Sequence, residues 1–292
     1  MPKYDVVQIG HMCREEIVIG PQNSGMVPGS AVYCGAIACK RLGYETAVIT
    51  RMNPEDHDLI QPFKDAGVEV FVIKDPYTTT LSVVYPDETM SSREILVHSH
   101  ADYFKIKELP DIEARVFHIG GISTYEITID FLKHLKAKGY VVSLDSQTFL
   151  RNIEDGRIVH RDWTEKREGL QYADFLKVDD VETKILTGYD NLLDAVKQLV
   201  DWGANEILVT CKDGIYVYKD QTLLFERFTS SNILGRTGRG DTAISSYISK
   251  RLDFDVEDSL KFCAAVVSIK METPGPFCKT IMDVEERLKM YR

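Results

Sequence analysis

Short apolar runs alternate along this chain with stretches whose apolar positions recur at helical spacing. Residues 6–10, 46–50, 68–73, 115–121, 140–145, 175–179 and 206–210 read as buried strands. Residues 31–43, 58–66, 126–138, 161–172, 181–186, 191–202, 259–270 and 283–290 carry the helical period, several stopped by a glycine. Repeated strand–helix units predict an α/β fold with a mainly parallel central sheet, right-handed crossovers and helices on both faces. Two places break the alternation. Residues 79–85 and 93–98 flank a turn at 86–89 and read as an antiparallel hairpin. With residues 12–20 they form an expected small β-strand lid inserted into a single domain spanning 1–292. Residues 215–218 and 223–226 read as a second hairpin at the sheet's edge.

One stretch organises the rest: Gly235-Arg236-Thr237-Gly238-Arg239-Gly240-Asp241-Thr242, followed by an apolar pattern of helical period. A glycine loop entering a helix N-terminus presents unpaired N–H groups and the positive end of the helix dipole, a cradle for phosphate oxygens. Asp241 is a carboxylate inside that anion site. It serves either as the helix N-cap or as a general base taking a proton from a hydroxyl beside a bound phosphate, and both can hold. No Gly-x-Gly-x-x-Gly turn follows the first strand, so a dinucleotide site is unsupported there, and no P-loop pattern occurs. Glu15, just past that strand, either reaches a ligand or stands as a solvated charge. Pro28-Gly29-Ser30 leads into a helix crowded with small residues, which suits close packing or a second helix end facing ligand. Asp145-Ser146-Gln147 leaves its strand where open α/β sheets place ligand contacts.

Composition narrows the partners. The 292 residues are 44% hydrophobic and 27% charged, with a formal net charge of −10. That excludes nucleic acid or an anionic membrane surface as the main partner and requires local positive charge at any polyanion site. The six cysteines lack C-x-x-C spacing and several sit in apolar runs, as expected of reduced thiols in a cytoplasmic protein. The N-terminus reads directly into a strand without a signal-peptide pattern, and no apolar run approaches the ~18 residues of a bilayer span.

The central loop, its place about fifty residues from the C-terminus and the strands before it resemble the ribokinase-like (PfkB) carbohydrate kinases. Four further segments match: Gly29-Ser30 with its helix; Leu176-Lys177-Val178-Asp179-Asp180-Val181-Glu182; Val209-Thr210-Cys211-Lys212-Asp213-Gly214; and Met271-Glu272-Thr273-Pro274-Gly275-Pro276. Residues 162–166, 177–179 and 235–242 look most like bacterial myo-inositol kinases. The resemblance implies a three-layer α/β/α sandwich with a β lid, and ATP- and Mg²⁺-dependent phosphorylation of a sugar or cyclitol hydroxyl, myo-inositol above all. It implies Asp241 as base and the amides of Gly238, Arg239 and Gly240 as the anion hole. Lys177, Thr210, Lys212, Gly214, Arg236 and Thr237 would border the nucleotide, with Ala264, Ser268 and Gly275 around adenine. Glu15, Gly29, Ser30, Asp145, Gln147 and Asp241 would meet the polyol; Asp179 and Glu182 would hold magnesium. Core packing is the plain alternative for residues 264–268, a favourable helix start for the two acids, and surface charge for Arg236 and Arg239. The chain departs from the family pattern at Ser30, Cys34, Glu15, Cys211-Lys212 and Asp179, mostly among expected polyol contacts. A kinase for another sugar or a nucleoside, and a non-catalytic regulator, are the alternatives. A monomer or a lid-mediated homodimer would suit the lid.

Overall fold

A computed structural model describes residues 3–88 and 92–291. The chain begins β1 (Tyr4–Ile9), β2 (Cys13–Ile19), β3 (Gln22–Gly29), α1 (Ala31–Arg41), β4 (Thr46–Met52), α2 (Gln61–Ala66), β5 (Glu69–Lys74), β6 (Thr79–Tyr85), β7 (Glu94–Ser99) and β8 (Ala114–Ile119). It continues α3 (Ile129–Ala137), β9 (Val141–Asp145), α4 (Gln147–Leu150), β10 (Arg151–Glu154), β11 (Arg157–His160), α5 (Lys166–Gly169), β12 (Phe175–Asp179), α6 (Asp180–Thr187) and α7 (Leu192–Asp201). The last elements are β13 (Glu206–Thr210), β14 (Gly214–Lys219), β15 (Thr222–Arg227), α8 (Arg239–Arg251), α9 (Val256–Met271) and α10 (Ile281–Leu288).

Nine strands form the central sheet, in the order β15-β14-β13-β12-β9-β8-β1-β4-β5. The interior pairs are parallel, and β13–β14 and β14–β15 are antiparallel at one edge, as the alternation predicts. The period-2 rule sorts the core into two layers. Val7, Ile9, Phe117, Ile119, Ile207 and Val209 pack on one face with Phe131 and Leu132 of α3 and Val196 and Leu199 of α7. Val6, Val116 and Leu208 pack on the other, with Ala243, Ile244 and Tyr247 of α8 and Cys263 and Val267 of α9.

A second sheet has the order β10-β11-β7-β6-β2-β3. The predicted lid strands are there, but β2 pairs parallel with β6, and three further strands extend the sheet. Residue 89 of the expected 86–89 turn lies outside the described residues. The pattern misses β3, whose mostly exposed residues carry no apolar alternation. It also overextends a helix across 161–172, where α5 covers only Lys166–Gly169 before a short 3₁₀ turn. The cysteines are all free thiols. Among the described residues, no helix is long and apolar enough to cross a membrane.

Candidate active site

The second sheet meets the carboxyl edge of the central sheet over a cavity of about 490 Å³. Its walls come from β2 and β3 (Glu15, Gly29), the start of α1 (Ser30, Cys34), β6 (Tyr85), the ends of β12 and β13 (Asp179, Thr210) and the loop 236–241. Strand ends on one side of a parallel sheet converge there, which is where such folds bind ligands.

The loop enters a helix N-terminus with open amides, an arrangement that suits an anion. Gly238 is the N-cap of α8, with φ +79, and no side chain caps the helix. Asp241 is therefore not the cap: it stands in the first turn, facing the cavity. The N–H of Arg239 donates to Arg236 O (3.1 Å) and that of Thr242 to Gly238 O (3.0 Å). Among the described residues, the N–H groups of Gly238, Gly240 and Asp241 have no backbone acceptor. The open amides are thus those of two of the three expected residues, with Asp241 added and Arg239 engaged. Arg236, Thr237 and Arg239 also line the cavity, and burial, with Arg236 adding to it, pulls the Arg239 guanidinium pKa down.

Beneath the loop lies a buried ionic network. Lys177 lines the cavity and its Nζ reaches Asp145 Oδ1 (3.2 Å) and Glu182 Oε2 (3.5 Å). Burial opposes its charge, but those two carboxylates outweigh it and hold the ammonium above the ordinary lysine range. Asp145 is fully buried, outside the cavity lining; burial pushes it up to about 7 against the pull of Lys177. Its Oδ2 has no hydrogen-bond partner among the described residues. Gln147 lines the cavity while its Nε2 donates to Gly121 O (3.0 Å).

Asp179 and Glu182 form a capping box on α6: Asp179 Oδ1 accepts from Glu182 N (2.8 Å), and Glu182 Oε2 from Asp179 N (2.9 Å). Glu182 is buried, outside the cavity lining, and also accepts from Ser146 Oγ (2.9 Å). Asp179 stands at the wall. Asp179 and Asp241 both line the cavity, and such hard oxygen donors would suit a magnesium ion, which keeps much of its hydration.

Glu15 is 6% exposed, which excludes the solvated-charge reading. Burial pushes its carboxyl up to about 7; Arg93 and Arg151 oppose this and Asp241 adds to it. Ser30 holds φ +145, a region that favours glycine, at the position of the family's second glycine. Its Oγ accepts from Tyr33 N (3.1 Å), capping α1. Tyr85 OH lies 3.2 Å from Thr237 Oγ1, joining the second sheet to the loop.

Arg93, Arg151 and His160 also line the cavity. The last two come from the β10–β11 hairpin, absent from the sequence reading. Its signal was Asp155-Gly156 between two short runs, a favoured two-residue turn; these residues take φ +48 and +73. Lys212, Gly214, Ala264 and Ser268 lie outside the cavity lining. Ala264 and Ser268 are fully buried on α9, and Ser268 Oγ accepts from Thr229 N (2.9 Å) and lies 3.0 Å from Tyr291 OH. Gly275 is at the rim.

Known proteins agree with this architecture. The chain is 34% identical to a pyrophosphate-dependent kinase in the ribokinase family, solved with a pyrophosphate analogue and myo-inositol, over 96% of this chain and 99% of that one, with a TM-score of 0.89. Ribokinase from Arabidopsis thaliana, solved with ribose and ATP, shares the fold at 18% identity, with a TM-score of 0.77 over 98% and 99% of the two chains. The cytidine kinase of Thermococcus kodakarensis is 22% identical over 260 residues, 84% of this chain and 87% of that protein. The description "pfkB family carbohydrate kinase" matches residues 4–278, nearly the whole length. The chain belongs to that family and is a phosphotransferase with the ribokinase-like α/β fold.

Proposed function

We propose that this kinase transfers a phosphoryl group from pyrophosphate to a hydroxyl of a cyclitol of the myo-inositol class, with Asp241 as general base. The observation that carries the reading is the meeting of Asp241 with open loop amides and Glu15 around one cavity. Phosphoryl transfer needs alignment and charge neutralisation more than covalent help, and this loop offers both. The acceptor hydroxyl loses its proton to the Asp241 carboxylate as its oxygen attacks phosphorus. The departing phosphate leaves towards Arg236, Arg239 and Lys177. Magnesium, bound at Asp179, would neutralise donor charge. Glu15, Gly29, Ser30 and Gln147 surround the acceptor's remaining hydroxyls, with Asp145 behind them holding Lys177.

Pyrophosphate replaces ATP as the favoured donor for two reasons. Two relatives described as pyrophosphate-dependent, one of them as a myo-inositol-1 kinase, share 32–34% identity over 96–98% of this chain. Two of the three residues expected around adenine, Ala264 and Ser268, are also fully buried, with Ser268 hydrogen-bonded inside the C-terminal packing. The test is a grid of purified protein against pyrophosphate and ATP, each with myo-inositol, ribose, fructose and cytidine. Turnover of pyrophosphate with myo-inositol supports the reading. Turnover confined to ATP overturns the donor, and turnover confined to cytidine or a sugar overturns the acceptor.

A further inference from the structure

Lys270 is the one fully buried lysine among the described residues, on a helix that reads from sequence as plain core. Its Nζ donates to Gly235 O (2.9 Å) and to Thr237 O. The same end of α9 holds the loop from its other side, because the N–H groups of Leu234 and Gly235 donate to Met271 O (2.9 and 3.1 Å). The backbones are so close that a Cβ on Gly235 would sit 2.4 Å from Thr273 O. Lys270 itself does not line the cavity.

Its effect passes through the peptide plane. A trans peptide points the carbonyl of one residue and the N–H of the next in opposite directions. With Thr237 C=O drawn onto the Lys270 ammonium, the Gly238 N–H is turned the other way. Gly238 lines the cavity and its N–H has no backbone acceptor among the described residues. Gly238 itself, at φ +79, tolerates this peptide setting where other residues would resist it.

We infer that Lys270 is a positioning residue for phosphoryl transfer, a built-in cation that fixes the Thr237–Gly238 peptide so that the Gly238 amide faces the transferring group. The inference rests on the kinase reading of this site and adds to it the residue that sets the anion loop. An amide aimed at charge that grows in the transition state acts on kcat more than on acceptor binding. Removal of the ammonium takes the donor from two part-buried carbonyls and frees the peptide to rotate.

The test uses full-length Lys270→Met, Lys270→Arg and Lys270→Ala with the donor–acceptor pair that wild type turns over. In Lys270→Met, kcat falls ~10²-fold while acceptor KM stays within about twofold. Lys270→Arg, which keeps charge and donors, recovers much of the loss. Methylammonium, which refills the space left in Lys270→Ala, raises its kcat about tenfold or more and leaves wild type unchanged. Thermal denaturation accompanies each assay, and if Lys270→Met does not fold, the arginine variant and the amine rescue decide. Folded variants with wild-type kcat overturn the inference. So does a loss that neither arginine nor methylammonium relieves. A wild type that turns over no pair sinks the kinase reading instead, so the two failures are distinguishable.

Discussion

Gly238→Ala perturbs the anion loop at the start of α8, where the structure leaves little room. An added Cβ would lie 2.4 Å from Cys34 Sγ and 3.1 Å from Cys34 Cβ, at φ +79. Carbon contacts settle near 3.5–4.0 Å, so the overlap with sulfur is roughly 1 Å. The left-handed backbone costs alanine about 1–2 kcal/mol more than glycine. The helix start must move or Cys34 must yield, and Cys34 is itself buried on α1. A shift of about 1 Å in groups that align a transferring phosphoryl costs ~10² in rate. Gly238→Ala should therefore lose about a hundredfold in kcat with a modest fall in Tm. Adding Cys34→Ala removes the sulfur and leaves the 3.1 Å contact. The double variant should regain about tenfold in kcat while the backbone cost persists, a coupling that a double-mutant cycle isolates. Phosphorus NMR of donor consumption gives the rates, and thermal denaturation gives stability separately. Wild-type kcat in Gly238→Ala, or no recovery in the double variant, would refute the steric reasoning.

Two further expectations concern the acids. Glu15, pushed up to about 7 by burial, should give kcat/KM for the acceptor a fall as pH drops through about 7, because the protonated acid accepts fewer hydroxyl hydrogen bonds; Glu15→Gln should erase that inflection, and its persistence would acquit Glu15. The folded chain also holds a proton there that the unfolded chain releases between about 4.5 and 7, so stability falls as pH rises through that window, by roughly 3 kcal/mol at about 1.4 kcal/mol per pH unit, and less steeply in Glu15→Gln. Asp179→Asn should raise the magnesium concentration for half-maximal rate several-fold, whereas Glu182→Gln, buried behind it, should chiefly lower stability, by ~1 kcal/mol or more, because the neutral amide no longer balances the buried Lys177 ammonium. An unchanged magnesium titration in Asp179→Asn would remove that residue from donor neutralisation.

What was legible in the sequence follows from which forces are local. The central strands announced themselves because burial on both faces demands continuous apolar runs. The glycine loop was legible because helix entry and positive φ restrict residue choice at Gly238. The second sheet was only half legible: β3 is held by pairing with β2 and not by an apolar face, so its residues carry no period. Arg151 and His160 reach the cavity through a hairpin whose one sequence signal is the Asp155-Gly156 turn between two short strands. Lys270, and the burial of Glu182 against Ser146, were opaque for another reason. Each side chain is a charge buried by partners remote in sequence or hidden in the backbone, and periodicity records burial without recording why a charge tolerates it.

The most direct measurement of the central claim is kcat for Asp241→Asn on the acceptor that wild type phosphorylates, with folding checked by thermal denaturation. The account predicts a fall of ~10²–10⁴ with the fold intact, because asparagine keeps the shape but cannot take the hydroxyl proton. A folded Asp241→Asn enzyme running at the wild-type rate would contradict it.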